Sequence, residues 1–460
     1  MEFPLNSEAP ATQVPLTIDD LGIPFEAASK PRAEYRVGTE AEKVGVRMAN
    51  NTPVAIAFAG SDGVQAVLER LTTYGYTAYR EVAGGEVIAL QRDQASITLE
   101  PAAQLELSGA PFASVHQTAR EMESHISDLR AVSEPLGIYW LSIGFHPFAT
   151  HAQLPHVPKL RYGIMERYMP TRGARSLDMM RRTCTVQVNL DYSSSSDAMR
   201  KLRVALALQP IATAMFANSP FYEGHRGRYL SERAHVWCHM DPDRSGLLPF
   251  AWDRASTLHD YIEWALDVPM FLVKRGDTII ENTQQTFRTF MKEGRHGTRA
   301  MASDWDTHLN TLFPEVRLKK TLEVRGADAQ PTNMVCSVTA LWKGLLYDET
   351  ALNQAESLVS AWGPDEAQAA REIIAEKALK ATLAGKPILH WAQQVVDIAE
   401  NGLRRLGQDP AIEGSGEEIY LQPLQELLSQ NQTPAEALLQ RLGASPSAAD
   451  IIKETCVWST

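Results

Sequence analysis

Alternating polar and apolar side chains mark residues 183–191 (TCTVQVNLD) as a β-strand with two different faces. Successive side chains of an extended strand point to opposite sides. One side carries the apolar residues Cys184, Val186, Val188 and Leu190, and the other carries the polar residues Thr183, Thr185, Gln187, Asn189 and Asp191. A half-buried surface strand alternates in the same way, so this pattern alone leaves the use of the polar side open.

Three other segments, at residues 36–46, 96–109 and 321–328, repeat the alternation with acids or amides on one face. The polar positions are Glu40 and Glu42 in the first, Glu100, Gln104 and Glu106 in the second, and Thr321, Glu323 and Arg325 in the third. Pro101 predicts a break in the second segment, because proline cannot donate to a ladder of strand hydrogen bonds. Four such strands predict a sheet whose polar side forms a functional site.

The order of the predicted elements indicates an α+β chain in three parts. Residues 1–30 are predicted to form an N-terminal tail followed by a short helix over 16–30. Residues 31–348 mix short strands with helices, including one over 114–137 that stops at Gly137, too irregularly for a repeated βαβ scheme. Residues 349–460 have helical periodicity, and we predict a helical C-terminal region packed on the core.

Composition narrows the class of protein. The 460 residues are 44% hydrophobic, which is ordinary for a globular protein, and 44 Lys plus Arg against 56 Asp plus Glu give a net charge of −12. This balance argues against nucleic acid as a partner. We see no signal peptide and no apolar run long enough to cross a membrane, and expect a cytoplasmic protein without a membrane partner.

Basic and histidine side chains between the second and fourth strands offer further candidates. Six arginines within residues 161–182 could line an anion pocket or belong to a solvated charged helix, and both readings stay open. A loop-like segment near residues 216–250 carries Arg233 in a region where binding groups concentrate. His235 and His239 are four residues apart, but without a helix pattern we do not predict that they bind a metal.

These residue types suit one chemistry. Clustered carboxylates hold hard cations such as Mg²⁺, and arginines bind carboxylate and phosphate groups, which together favour phosphoryl transfer from a nucleotide to an acid. The chain contains neither GxxxxGK[ST] nor a GxGxxG motif after a strand. A nucleotide would therefore be held chiefly through metals and basic side chains.

The ordered motifs of the chain resemble those of glutamate–cysteine ligases of the plant and proteobacterial branch. The resemblance runs from about Pro31 to Asp348 and rests on RVGTEAEKVGV, SITLEPAAQLELSGAP, MERYMP, LDMMRRTCTVQVNLD, LALQPIATAMFANSPF, DPDRSGLLPF, ALDVPM, FPEVRLKKTLEVRGAD and LWKGLLYD. It implies a glutamine synthetase-like curved antiparallel sheet with surrounding helices. It also implies an ATP-dependent enzyme, using two or more Mg²⁺ ions, that joins the γ-carboxylate of glutamate to the amine of cysteine through an acyl phosphate. That reaction gives γ-glutamylcysteine, the first step of glutathione biosynthesis.

The same resemblance implies roles for individual residues. The implied metal ligands are Glu40, Glu42, Glu100, Glu106, Gln187 and Glu323. Glu323 and Arg325 are the implied catalytic pair, with Arg325 meeting the transferring phosphate. Arg233 would bind the glutamate α-carboxylate, Thr185, Asn189 and Gln104 would contact substrate, and Arg317, Lys319 and Lys320 would bind the nucleotide phosphates.

The chain departs from the family pattern at positions that leave alternatives open. Ala102 and Ala103 replace a usual glycine pair before Gln104, so another amine acceptor is an alternative to cysteine. Cys184 and Cys336 match positions that can form a disulfide in this branch, although a pair of buried free thiols is the alternative. A catalytically silent homologue is a further alternative, but the presence of the implied carboxylate ligands argues against it. We expect a monomer or a homodimer.

Overall fold

The structure, a computed structural model, describes residues 16–81, 84–276, 278–409 and 414–459. The predicted tail, residues 1–15, lies outside this part of the chain. The strands are β1 (Val37–Ala49), β2 (Thr52–Ala55), β3 (Thr77–Tyr79), β4 (Ala89–Arg92), β5 (Ala95–Leu99), β6 (Leu105–Ser108), β7 (Tyr139–Leu141), β8 (Thr185–Leu190), β9 (Phe221–Tyr222), β10 (His225–Arg226), β11 (Ser245–Gly246), β12 (Leu272–Arg275), β13 (Thr278–Glu281), β14 (Phe313–Pro314), β15 (Val316–Leu318), β16 (Leu322–Asp328), β17 (Thr382–Leu383) and β18 (Lys386–Pro387).

Helices account for much of the remaining chain. They are α1 (Ile23–Ala27), α2 (Val64–Leu71), α3 (Val115–Ser133), α4 (Leu160–Tyr168), α5 (Ser176–Arg182), α6 (Ser195–Met215), α7 (Glu232–Cys238), α8 (Leu258–Asp267), α9 (Phe287–Glu293), α10 (Ala302–Leu309), α11 (Thr332–Tyr347), α12 (Glu349–Val359), α13 (Pro364–Lys377), α14 (Ile388–Leu406), α15 (Gln422–Ser429), α16 (Pro434–Leu442) and α17 (Ala448–Thr455).

The main sheet is antiparallel and is organised around β1. Its path runs β15–β16–β8–β1–β6–β5–β4–β3, and β2 and β7 pair with the far end of β1. The thirteen residues of β1 are long enough for this, since residues 37–41 pair with β8 and residues 44–49 pair with β7 and β2. The strand with Glu40 and Glu42 therefore lies between the strands with Gln187 and Glu106.

Helices cover the apolar side of the sheet and supply the core. α6 packs against β15 and β16, and α11 packs against β1 and β8. The alternating apolar residues Val186, Val188 and Leu190 are buried on this side. α14, from the C-terminal region, packs against both α11 and α6. One hydrophobic cluster consequently reaches from Leu21 to Val457.

The predicted α+β class with an antiparallel sheet is confirmed. The helix over 114–137 is confirmed as α3 and a following 3-10 turn, which ends at Gly137 with a φ of 66°. The division at residue 348 stays a prediction; Asp348 is the residue that joins α11 to α12. Within the described part of the chain, no helix combines the length and apolar character that a bilayer span requires.

Candidate active site

Strand register brings the predicted acids and amides onto one face. Glu42 pairs with Glu106, and Glu40 pairs with Gln187. Asn189 pairs with Glu323 on the next strand. Directly paired residues of neighbouring strands project from the same side of a sheet. The alternation seen in each segment thus becomes one polar face across β6, β1, β8 and β16.

Four carboxylates, Glu40, Glu42, Glu100 and Glu106, form what we call the acidic group. Asn189 Nδ2 donates to Glu40 Oε1 over 2.9 Å, and the backbone N–H of Thr185 donates to Glu42 Oε2 over 3.0 Å. Glu106 accepts from neutral donors as well, at 3.1 Å from Thr98 Oγ1 and 2.6 Å from Ser108 Oγ. These contacts orient the carboxylates but bring no positive charge to them.

The environment of the acidic group disfavours its negative charge. Burial, followed by the charges of Glu106 and Glu323, raises the pKa of Glu40. Burial, followed by Glu100 and Glu106, raises the pKa of Glu42 well above its ordinary value, and Arg233 and Arg325 offset only part of this effect. A cation placed among these oxygens would remove the repulsion, because an opposite charge nearby favours the ionised form.

A second carboxylate on the same face, Glu323, has the opposite surroundings. Arg317 Nη2 lies 2.8 Å and 2.9 Å from its two carboxylate oxygens, and Lys319 Nζ lies 2.9 Å from Oε2. Arg325 Nη1 donates to Oε1. We call Glu323 with these three cations the Glu323 cluster. Burial is the largest single influence and raises the pKa of Glu323, but Arg317, Lys319 and Arg325 together hold it well below its ordinary value.

Arg325 links the two halves of the polar face. Its Nη1 also donates to Gln187 Oε1 over 2.7 Å. The register of β16 against β8 shifts between Val324 and Ala327, so Arg325 lies in a β-bulge. Bulges commonly redirect a side chain beside an active site. The bulge therefore accompanies the placement of the Arg325 guanidinium between Gln187 and Glu323.

Two predicted substrate residues hold this bulge in place. Thr185 Oγ1 donates to the carbonyl oxygen of Ala327 over 2.6 Å. Arg233, only 3% exposed, donates from Nη2 to the carbonyl oxygen of Arg325 over 2.7 Å. In this structure both side chains donate hydrogen bonds to the backbone that positions Arg325. Their contacts with substrate stay predictions.

Three other predicted residues lie at the margins of the polar face. Glu100 is half-buried in the turn between β5 and β6, where Pro101 interrupts pairing as expected. Gln104 is buried, and its amide bonds to the backbone of Ala102 and, over 3.2 Å, of Thr183. Lys320 is exposed between β15 and β16. Gln104 thus ties the turn to β8, and its predicted contact with substrate stays untested.

Some residues of the site were missing from the sequence prediction. Thr98 faces Glu106, and the alternation of Ser96, Thr98 and Glu100 was the signal that could have identified it. Asp328 is buried and accepts hydrogen bonds from Ser219 Oγ and Ser231 Oγ over 2.7 Å and 2.8 Å. No local pattern indicates these serine contacts, because about one hundred residues of chain separate the partners.

The arginines of residues 161–182 are largely engaged by acids. Arg175 Nη2 lies 2.8 Å from Glu232, Arg182 Nη1 lies 3.2 Å from Asp178, and Arg167 Nη2 lies 2.6 Å from Glu281. These ion pairs tie α4 and α5 to their surroundings. They favour the reading of this segment as a charged structural region.

The cysteines are present as free thiols at all four positions. Cys184 lies on the apolar side of β8 in a cluster with Val44 and Cys456, whereas Cys336 lies in α11 within the main hydrophobic cluster. The disulfide that the resemblance implied between Cys184 and Cys336 is not formed in this structure. Burial raises the pKa of Cys184 well above its ordinary value and that of Cys336 to about 12, so both thiols are protonated at neutral pH.

Several known proteins have similar sequences. A model of glutamate–cysteine ligase family 2 matches residues 36–455. The chloroplastic glutamate–cysteine ligase of Arabidopsis thaliana is 41% identical over 441 residues, which are 95% of this chain and 82% of the relative. Glutamate–cysteine ligase B of Oryza sativa subsp. japonica, also chloroplastic, is 41% identical over 439 residues, 95% of this chain and 86% of the relative.

A solved structure supports the fold independently. The crystal structure of glutamate–cysteine ligase from Francisella tularensis in complex with AMP aligns with a TM-score of 0.57 at 13% identity. The alignment covers 92% of this chain and 87% of the other. Taken with the sequence match over residues 36–455, these findings show that the chain belongs to glutamate–cysteine ligase family 2.

Proposed function

We propose that this chain is an ATP-dependent ligase that joins the γ-carboxylate of L-glutamate to the amine of L-cysteine. In the first step a γ-carboxylate oxygen attacks the terminal phosphorus of ATP, the bond from that phosphorus to the bridging oxygen breaks, and ADP leaves. In the second step the cysteine amine attacks the acyl carbon, loses a proton and displaces phosphate. The product is γ-glutamylcysteine, which makes this the first step of glutathione biosynthesis.

The observation that carries the proposal is the polar face itself. Carboxylates with neutral hydrogen-bond donors lie beside an arginine held in a β-bulge. Phosphoryl transfer from ATP requires cations that neutralise phosphate oxygens and a positive group near the transferred phosphoryl. The acidic group supplies sites for the cations, and Arg325 supplies the positive group.

The donor set fits Mg²⁺, which prefers oxygen ligands. Glu40, Glu42, Glu100 and Glu106 are the residues best placed to hold it, because two of them have raised pKa values that a cation would reverse. Bound there, Mg²⁺ would neutralise the negative charge of the phosphates. Gln187 and Glu323 are predicted ligands too. Both oxygens of Glu323 already contact cations, so Glu323 would have to exchange a partner first. Gln187 Oε1 accepts from Arg325 and has a second lone pair for a cation.

The Glu323 cluster positions the basic side chains of the site. Glu323 fixes Arg317 and Lys319, the residues predicted to bind nucleotide phosphates, and it fixes Arg325 from the other side. We propose that the negative charge of Glu323 keeps three cations aligned before ATP arrives. Ordered charges of this kind stabilise a transition state without reorganising during the reaction.

A different amine acceptor is the second candidate, and the turn before Gln104 favours it. Ala102 and Ala103 are both buried in this turn, beside Gln104. Ala103 has a φ of 64°, a left-handed conformation in which glycine is unstrained. The two methyl groups narrow a place where the family usually has glycine, which can change the acceptor that fits.

Assay of purified protein tests both candidates. Phosphate release is measured with ATP and Mg²⁺, with and without glutamate, and then with cysteine and a panel of other amines. We expect release that requires glutamate, is greatest with cysteine and yields γ-glutamylcysteine by mass spectrometry. Phosphate release that does not require glutamate, or no phosphate release from folded protein, would contradict the proposal. A stronger response to another amine than to cysteine would favour the second candidate. The Ala102→Gly, Ala103→Gly double variant should then shift the preference toward cysteine.

A cytoplasmic location and a monomeric or homodimeric state remain part of the proposal. Gel filtration with light scattering measures the oligomeric state directly. Fractionation of the source cells measures the location.

A further inference from the structure

A group of metal-ligating side chains lies outside the polar face, between α7 and α13. His235 and His239 are one helical turn apart, at the end of α7, and Glu372 comes from α13. One potential ligand atom from each residue lies within 4.8 Å of the others. Residues 232–238 show no helix pattern in the sequence, and the prediction of a loop there was wrong. The Ser231 side chain starts this helix by accepting from the backbone N–H of Ala234 over 2.9 Å.

The three side chains are held in place by their neighbours. His235 Nδ1 lies 2.6 Å from Glu372 Oε1, and the Tyr229 ring stacks on the His235 ring with a centroid distance of 4.0 Å. The Tyr229 hydroxyl donates to the same Glu372 oxygen over 3.2 Å. Metal-binding residues are typically oriented by outer contacts of this kind.

The second histidine contacts its own helix through one ring nitrogen. His239 Nδ1 lies 3.0 Å from the carbonyl oxygen of His235, which can only accept, so Nδ1 is the donor and the neutral ring offers its lone pair at Nε2. The other Glu372 oxygen, Oε2, is shielded from solvent, has no hydrogen-bond donor in the described structure and lies 3.9 Å from His239 Nδ1. The group thus has an unsatisfied anionic oxygen beside two imidazoles.

We propose that His235, His239 and Glu372 form a binding site for Zn²⁺ or a similar transition-metal ion. Two imidazoles and one carboxylate suit Zn²⁺, whereas Mg²⁺ prefers a set of oxygen ligands, so this site is chemically distinct from the acidic group. Binding replaces the proton that His235 Nδ1 donates to Glu372, and that proton is released to solvent.

The position of the site gives the ion a structural consequence. α7 carries Arg233, which bonds to the bulge at Arg325, and α13 belongs to the C-terminal helical region. The only ligands proposed come from these two helices, which already meet through a backbone hydrogen bond of 3.0 Å from Ser231 to Ala375. A bound ion would therefore fasten the helix behind the bulge to the C-terminal region.

Competition with a chromophoric zinc chelator, in the presence of excess Mg²⁺, tests the site in the full-length protein. We expect one zinc equivalent that resists Mg²⁺. His239→Ala should weaken its affinity about tenfold or more, and Tyr229→Phe should weaken it about tenfold through the lost outer contact. His259→Ala is the matched control, because His259 is also an exposed helical histidine four residues from a glutamate but has no second histidine beside it.

Thermal unfolding provides a second measurement and checks folding. The variants should match the wild type in far-ultraviolet circular dichroism when metal is removed, since these side chains are partly exposed. Zn²⁺ should then raise Tm of the wild type and His259→Ala but not of His239→Ala, because a ligand of the native state stabilises it by mass action. Equal zinc affinity in wild type and His239→Ala, or complete displacement of zinc by Mg²⁺, would overturn the proposal.

Discussion

The acidic group and the Glu323 cluster contain the same kind of side chain on the same polar face, yet the surroundings of their charges are opposite. Neutral donors contact Glu40 and Glu42, and the pKa of each is raised. Three cations contact Glu323, and its pKa is lowered. Burial acts in the same direction on all of these carboxyls, so the neighbouring charges decide the sign. One region has only neutral hydrogen-bond donors, and the other is already neutralised by cations.

Removing the charge of Glu323 should have the largest effect on turnover and on the free energy of unfolding. Glu323→Gln leaves Arg317, Lys319 and Arg325 buried without their anion, which costs about 3 kcal/mol of unfolding free energy. We expect turnover to fall about a hundredfold or more, because the ordered cations of the site are lost. Urea unfolding and phosphate release measure the two quantities.

A buried ion pair elsewhere gives the matched control for this variant. Lys343 and Glu417 are 2.7 Å apart and are 2% and 1% exposed, away from the polar face. Glu417→Gln should also lower the unfolding free energy by about 3 kcal/mol, but turnover at a temperature where it is folded should stay near the wild-type value. If both variants lost turnover equally, the role of Glu323 would be stability alone.

The corresponding change in the acidic group should act on stability with the opposite sign. Glu42→Gln replaces a repelled carboxylate with a neutral side chain of the same shape, so unfolding free energy without metal should rise by about 1 kcal/mol. Turnover at limiting Mg²⁺ should fall roughly tenfold or more, because a cation ligand is lost. A variant that was both less stable and fully active would remove the contrast between the two regions.

The smallest expected effect is a pH dependence that Mg²⁺ abolishes. The pKa of Glu40 is raised from its ordinary value of 4.5, so its favourable contribution is present below pH 4.5 and is lost as pH rises through the raised pKa. Metal-free wild type should thus lose about 0.5 kcal/mol relative to Glu40→Gln as pH increases above 4.5. Urea unfolding across this range measures the difference.

Glu323 supplies the internal reference for that titration. Because its pKa lies well below 4.5, its contribution is present above pH 4.5 and is lost only on acidification through the lowered pKa. Glu323 should therefore add no pH dependence to the free energy of unfolding above pH 4.5. A pH slope that Mg²⁺ leaves unchanged would contradict the assignment of the acidic group as a cation site.

Much of the polar face could be predicted because the two-residue period of a strand is a local property. Alternation placed Gln187 and Asn189 on one side of β8, and the same rule placed Glu40, Glu42 and Glu323 on single sides of their strands. It also assigned Cys184 to the apolar side, where it is buried. The break at Pro101 and the end of α3 at Gly137 followed from the backbone chemistry of proline and glycine.

Partners that are brought together by a turn between strands or by tertiary packing could not be predicted in this way. Alternation could not indicate that Arg317 and Lys319 neutralise Glu323, because this depends on how β15 folds back onto β16. Nor could it indicate that Gln104 bonds to the backbone before β8, or that Glu372 reaches His235 across 137 residues. The resemblance suggested roles for several of these residues but not their contacts.

The sequence by itself therefore determined which side of the four strands is polar, the break at Pro101, the end of α3 at Gly137, and the family to which the motifs point. Local backbone geometry is enough for these properties, since side-chain direction repeats every two residues in a strand. Only the tertiary structure decided which carboxylates contact cations and which contact neutral donors. That outcome depends on distances between charges brought together by strand pairing and by the bulge at Arg325, and charge interactions depend on separation in space rather than along the chain.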